Sequence, residues 1–74
     1  LANCEVPRQL FDPSDTVVAL RDTPGGKITR RIKNCSLVCL KKEAGQWTEV
    51  TNDLGTYDGF ASSGSVIDAR TRCP

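Results

Sequence analysis

Four cysteines constrain this chain more than any other feature: Cys4 and Cys73 stand near its two ends, and Cys35 and Cys39 stand together near its middle. A chain of 74 residues buries too little apolar surface for comfortable stability, and cross-links that close long loops supply what a small core lacks. On the chain-entropy model each bridge contributes on the order of 3–4 kcal/mol, comparable with the whole net stability of a small domain. An even cysteine count in so short a chain therefore predicts a disulfide framework. With it goes an oxidising compartment, so a secreted or periplasmic location is expected.

Geometry limits the pairing. The run from Cys35 to Lys42 alternates Val38 and Leu40 with Cys39 and Lys41, the period of a strand. On an extended strand Cys35 and Cys39 lie about 13 Å apart, beyond the roughly 7 Å that a bridge spans. They should not pair with each other. Each is then free to take one terminal cysteine, in an order the sequence leaves open; the competing arrangement joins Cys4 to Cys73 and leaves two thiols. The opening Leu1-Ala2-Asn3-Cys4 has the outline of a bacterial lipoprotein cleavage box, but Asn3 departs from it and the even count favours a bridge at Cys4. A Cys-x-x-x-Cys spacing is one residue too long for a zinc knuckle or a thioredoxin-like pair, so neither a metal nor a cofactor is expected.

Composition excludes several function classes. With 38% hydrophobic and 26% charged residues, the chain reads as one soluble globular domain. No run approaches the roughly 20 apolar residues of a membrane span, and export would imply a leader already removed. Ten basic and nine acidic residues nearly cancel, which removes the long-range field that nucleic-acid binders use. One local exception gathers Lys27, Arg30, Arg31 and Lys33, with Lys41 and Lys42 further on. Such a basic turn suits phosphate, an anionic polymer or an acidic partner surface; a solvated loop is the plain alternative. The chain has no histidine, so Ser-His-Asp, Cys-His and histidine–zinc sites are ruled out and no enzyme is expected. Asp53 and Asp58 form the nearest carboxylate pair, but they flank a turn where acidic residues are ordinary. Gly25-Gly26-Lys27 lacks the spacing of a phosphate loop and reads as a turn.

The pattern along the chain is that of short strands. Residues 1–15 hold Pro7 and Pro13 and show no sustained period, which predicts an irregular arm. Thr16 to Arg21 is β-branched with Val18 and Leu20 on one face, and Pro24-Gly25-Gly26 supplies a tight reversal. Further strands are expected over 35–42, 47–51, 56–61 and 66–69, with a single helical turn at 62–65 and a tail at 70–74. No stretch keeps apolar residues at i, i+3, i+4 and i+7 over three turns, so no long helix is expected. Five short strands with glycine-rich turns favour a small all-β barrel or sandwich over residues 16–69.

The order of these pieces carries a family likeness. Val18-Ala19-Leu20-Arg21-Asp22-Thr23-Pro24-Gly25-Gly26, then Ile28 to Ile32, Val38-Cys39-Leu40, Gly45-Gln46-Trp47-Thr48-Glu49-Val50 and Tyr57-Asp58-Gly59-Phe60-Ala61-Ser62 resembles the bacterial SH3 (SH3b) domain. Asp22-Thr23-Pro24 replaces the family's Ser-Gly-Pro, Phe60 stands where a tryptophan is favoured, and Cys35 sits near an expected Lys-Gly turn. The resemblance implies a five-stranded SH3-like barrel with disulfide-tethered terminal arms, the segment from Asp22 to Lys33 forming a long first loop beside a surface groove. Its core would be Val18, Leu20, Ile32, Val38, Leu40, Val50, Phe60 and Ile67. It further implies a monomeric, non-catalytic binding module for cell-wall peptide, peptidoglycan or an envelope partner. Asp22, Lys27, Arg30, Trp47 and Tyr57 are its candidate contacts. Trp47 alternates with Val50 and so leans outward, as a plug over the rim or as a binding platform. The alternative is a small secreted, disulfide-stapled effector or inhibitor that binds a host or other protein through an edge strand or the basic turn. A structural or assembly domain of a larger envelope protein is the third.

Overall fold

A computed structural model describes residues 4–52 and 55–73. Seven strands run in chain order: β1 (Pro7–Leu10), β2 (Val17–Arg21), β3 (Ile28–Lys33), β4 (Leu37–Ala44), β5 (Trp47–Thr51), β6 (Asp58–Ser62) and β7 (Val66–Asp68), with one 3-10 turn at Ser63–Ser65. All pairings are antiparallel, in a single sheet ordered β3-β2-β6-β5-β4-β1-β7.

Alternation along the strands builds the core. β2 buries Val18 and Leu20, and β5 buries Thr48 and Val50, while their neighbours face the other side. Leu10, Val38 and Ala61 complete the buried cluster, against which Ile32, Tyr57 and Val66 pack. Ile32 belongs to one end strand and Val66 to the other, so the sheet curls until both ends cover the same apolar centre. Curling needs local breaks in register. A bulge at Thr29 lies opposite Leu20/Arg21, and a second leaves Lys41 as the extra residue between Leu40 and Lys42. Between β2 and β6 the approach is so close that a Cβ at Gly59 would stand 2.9 Å from the Leu20 Cβ and 3.2 Å from the Arg21 carbonyl oxygen.

The expected all-β class is present, but seven strands stand where five were read. β1 lies in the segment read as an irregular arm. It lacks alternation because Gln9 and Leu10 are both buried, Gln9 by donating its amide to the carbonyls of Ala69 and Thr71 at 3.5 and 3.0 Å. Pro7 takes the first position of the strand, where a missing N–H is tolerated. β3 occupies the expected long loop; as an end strand it packs only Ile32 on the core and leaves Ile28 half-buried, so its polar sequence hides it. Three expected core residues stand outside the cluster: Leu40 is only half-buried, and two others are out of phase. β6 buries Gly59 and Ala61 and thereby turns Phe60 outward, and Val66 rather than Ile67 packs on the cluster.

Two disulfides close the molecule, Cys4–Cys39 with Cα atoms 5.5 Å apart and Cys35–Cys73 with Cα atoms 5.9 Å apart. Each central cysteine takes one terminal partner, and the Cys4–Cys73 alternative is absent. Cys35 sits in the β3–β4 turn at φ +75°, left-handed backbone that costs a residue with a Cβ on the order of 1–2 kcal/mol. The turn is held there by Ser36, whose N–H and hydroxyl both donate to the Lys33 carbonyl at 3.2 and 2.6 Å.

Candidate functional site

A groove of about 360 Å³ opens where the β2–β3 turn meets the outer faces of β5 and β6. Asp22, Arg30 and Tyr57, three of the five residues singled out by sequence, line it together with Thr29, Glu49 and Asp58. Gly59 forms part of its lining.

Local hydrogen bonds place each of these groups. The Asp22 N–H donates to the Lys27 carbonyl and the Lys27 N–H donates back to Asp22 Oδ1, both at 3.0 Å. Gly25 at φ +72° completes that turn. Asp22 thus shapes the turn as well as the groove wall, whereas the Lys27 side chain does not line the groove. Opposite it, the Asn52 carboxamide oxygen accepts the N–H groups of Thr56 and Tyr57 at 2.8 and 3.3 Å, and the Thr51 hydroxyl donates to the Tyr57 carbonyl at 2.7 Å. These contacts hold Tyr57 beside β6 with its ring against the core. The Arg30 guanidinium lies 4.8 Å from the centre of that ring, a cation–π contact worth about 0.5–1 kcal/mol at exposed sites. Burial raises the Tyr57 hydroxyl pKa above the usual tyrosine value, and the Arg30 charge pulls it part of the way back.

Both bulges serve the groove. The Thr29 bulge precedes Arg30, and the other delivers Lys41, whose Nζ donates to Asp58 Oδ2 at 2.9 Å and stands 3.9 Å from Glu49 Oε2. The hydrogen bond to Asp58, reinforced by the charges of Asp58 and Glu49, raises the Lys41 pKa. The result is a carboxylate wall at Glu49 and Asp58 across from a guanidinium lying on an aromatic ring. Such a surface suits a small polar ligand that carries both signs of charge.

Trp47 stands apart from these groups. It projects from the outer face of β5 into a smaller depression of about 160 Å³ lined also by Ala19, Arg21 and Ser62. The Arg21 guanidinium lies 5.6 Å from its ring centre and donates to the Gly26 carbonyl at 2.7 Å, and a Cβ at Gly25 would come within 3.9 Å of its Cζ2. The indole therefore supports the β2–β3 turn from behind. At the far side of β5 a third depression holds Thr48 and Ser63, but their hydroxyls bond each other at 2.8 Å and Ser63 donates to the Gly45 carbonyl at 2.9 Å.

Glu49, Asp58 and Lys41 are not among the contacts expected from sequence, where Asp58 reads as a turn carboxylate and Lys41 as part of a basic group. Glu49 was visible as the outward partner of Trp47 on one strand, but nothing in composition marks a bulge. Of the Asp53 and Asp58 pair, Asp53 lies outside the described residues, and Asp58 bonds Lys41. No group of three or more histidine, cysteine, aspartate or glutamate side chains among the described residues is placed to hold a metal ion. No helix among them is long and apolar enough to cross a membrane. Scans against family models, curated proteins and solved structures return no match for this chain.

Proposed function

We propose that this chain is a non-catalytic recognition module of the SH3b type, an SH3-like barrel working outside the cytoplasm, secreted or periplasmic, that binds cell-wall peptide. The observation that carries the reading is the groove, with Arg30 over Tyr57 on one side and Glu49 and Asp58 on the other. Peptidoglycan stem peptides bear amino and carboxylate groups on one short chain, the charge pattern this groove complements. Two further features support it. Cys35 holds the positive φ of a glycine at the place where the family has its Lys-Gly turn, and the paired disulfides suit an oxidising compartment. The chain's lack of histidine accords with binding without turnover.

Co-sedimentation with purified peptidoglycan, followed by titration with soluble stem peptides, tests the proposal. Native protein should pellet, and Arg30→Ala and Tyr57→Ala should each weaken stem-peptide binding about tenfold. Absence of pelleting together with no response to stem peptides contradicts it. The second reading, a secreted effector or inhibitor that engages another protein, is favoured by the unpaired edge of β3.

A further inference from the structure

Among the described residues β3 ends the sheet and pairs with β2 alone. Which of its backbone groups face outward follows from register. The Asn34 N–H donates to the Thr16 carbonyl at 3.0 Å, one step beyond the Val17↔Lys33 pair. Bonded and non-bonded pairs alternate along an antiparallel ladder, so Ile32 and Arg30 exchange bonds with Val18 and Leu20. Arg31 and Lys33 therefore turn their N–H and C=O groups away from β2; Ser36 already occupies the Lys33 carbonyl, which leaves three main-chain groups at the edge, the Arg31 N–H and C=O and the Lys33 N–H. The regular edge stops at the bulged Thr29, whose hydroxyl donates to the Leu20 carbonyl at 3.4 Å.

Every charged residue of the same stretch is basic. No acidic residue lies between Lys27 and Asn34, the Arg31 and Lys33 side chains are exposed, and neither enters an ion pair among the described residues. Like charges facing each other across a ladder are destabilising, so the β3 strand of a second copy is repelled from this edge. Opposite charge is admitted there. We propose that the β3 edge docks an acidic peptide segment in extended conformation by strand addition, with carboxylate side chains two positions apart facing Arg31 and Lys33. Main-chain bonds to those two residues supply affinity, and the carboxylates supply selection. This surface is separate from any ligand of the groove.

The test uses native oxidised protein and a capped seven-residue L-peptide alternating glutamate with valine, followed by residue-resolved amide spectra. Saturable shifts should centre on residues 29–33, and amide exchange at Arg31 and Lys33 should slow about tenfold. Peptides N-methylated on alternate nitrogens, made in both registers, keep the charge; one register should bind about tenfold more weakly because its donors are lost. The double variant Arg31→Glu/Lys33→Glu should lose binding by at least a similar factor, and if it does not fold the methylated peptides against native protein still decide the matter. Equal binding of both methylated peptides, equal displacement by inorganic polyphosphate, shifts confined to the groove, or no binding at millimolar peptide would each overturn the proposal.

Discussion

One end of this sheet is held by covalent bonds and the other by hydrogen bonds and charge. β1 and β7, of four and three residues, are the shortest strands, and both disulfides anchor the chain beside them, Cys4 to β4 and Cys73 to the β3–β4 turn. The groove end has no cross-link. Its turn depends on Asp22 and on Arg21 bonding Gly26, Tyr57 on Asn52, and Asp58 on Lys41. The contrast teaches that covalent closure is placed where strand pairing is too short to hold, while the groove is assembled from contacts that a ligand can exchange.

The largest effect that would break this contrast is reduction. The bridges span 35 and 38 residues, and loss of either should cost about 4 kcal/mol on the chain-entropy model. With both reduced, the fold should be lost near about 37 °C, and in single-bridge variants the amides of β1 and β7 should exchange before those of β2 and β6. Hydrogen exchange reads this directly, and earlier loss of β2 and β6 would reverse the comparison.

Next in size is Gly59→Ala. Its Cβ would meet the Leu20 Cβ and the Arg21 carbonyl at the narrow β2–β6 junction, so urea unfolding should show a loss of about 1–3 kcal/mol. At the stapled end, the left-handed turn separates bridge from backbone. Cys35→Gly/Cys73→Ser should be about 1 kcal/mol more stable than Cys35→Ala/Cys73→Ser, because both lack the bridge and only glycine accepts φ +75° without strain. Equal stabilities would mean that the turn relaxes once it is cut.

The smallest effects are electrostatic. Hydrogen bonds from the Ser14 hydroxyl and N–H lower the Asp12 pKa, and the Arg70 N–H and side chain lower that of Asp68. A depressed carboxylate stabilises the fold above its unfolded pKa of about 3.9, so that contribution fades as pH falls below about 4. Tyr57 runs the other way. Its raised pKa favours the neutral phenol in the fold, so its contribution holds below about pH 10 and fades as pH rises through the folded value. Arg30→Met should raise the Tyr57 pKa further in an absorbance titration, and an unchanged value would show that the guanidinium does not sense the ring hydroxyl.

Much of the framework was legible because it rests on local chemistry. The alternation of Val18 with Leu20 located β2, and glycine and proline marked its turn; Cys35 and Cys39 do take separate partners, although Cys35 stands in the left-handed turn before β4 and not on the extended run expected of it. What escaped depends on neighbours distant in sequence. β1 is a strand because β4 and β7 flank it, and Gln9 is buried because two carbonyls of the tail receive its amide. The family likeness implies Phe60 in the core, yet the close approach of Gly59 to Leu20 fixes the phase of β6 and turns the ring out. At the groove, Asp22, Arg30 and Tyr57 were foreseeable from loop position and side-chain character. Lys41 was not, since a bulge is a property of two strands together and leaves no mark in either one.

The most direct test of the central claim is an amide spectrum of the oxidised protein titrated with a soluble peptidoglycan stem peptide. Saturable shifts gathered on Asp22, Arg30, Glu49, Tyr57 and Gly59, with β1 and β7 unmoved, are the result the account predicts. Shifts centred on the stapled end, or a spectrum that does not change at millimolar peptide, would contradict it.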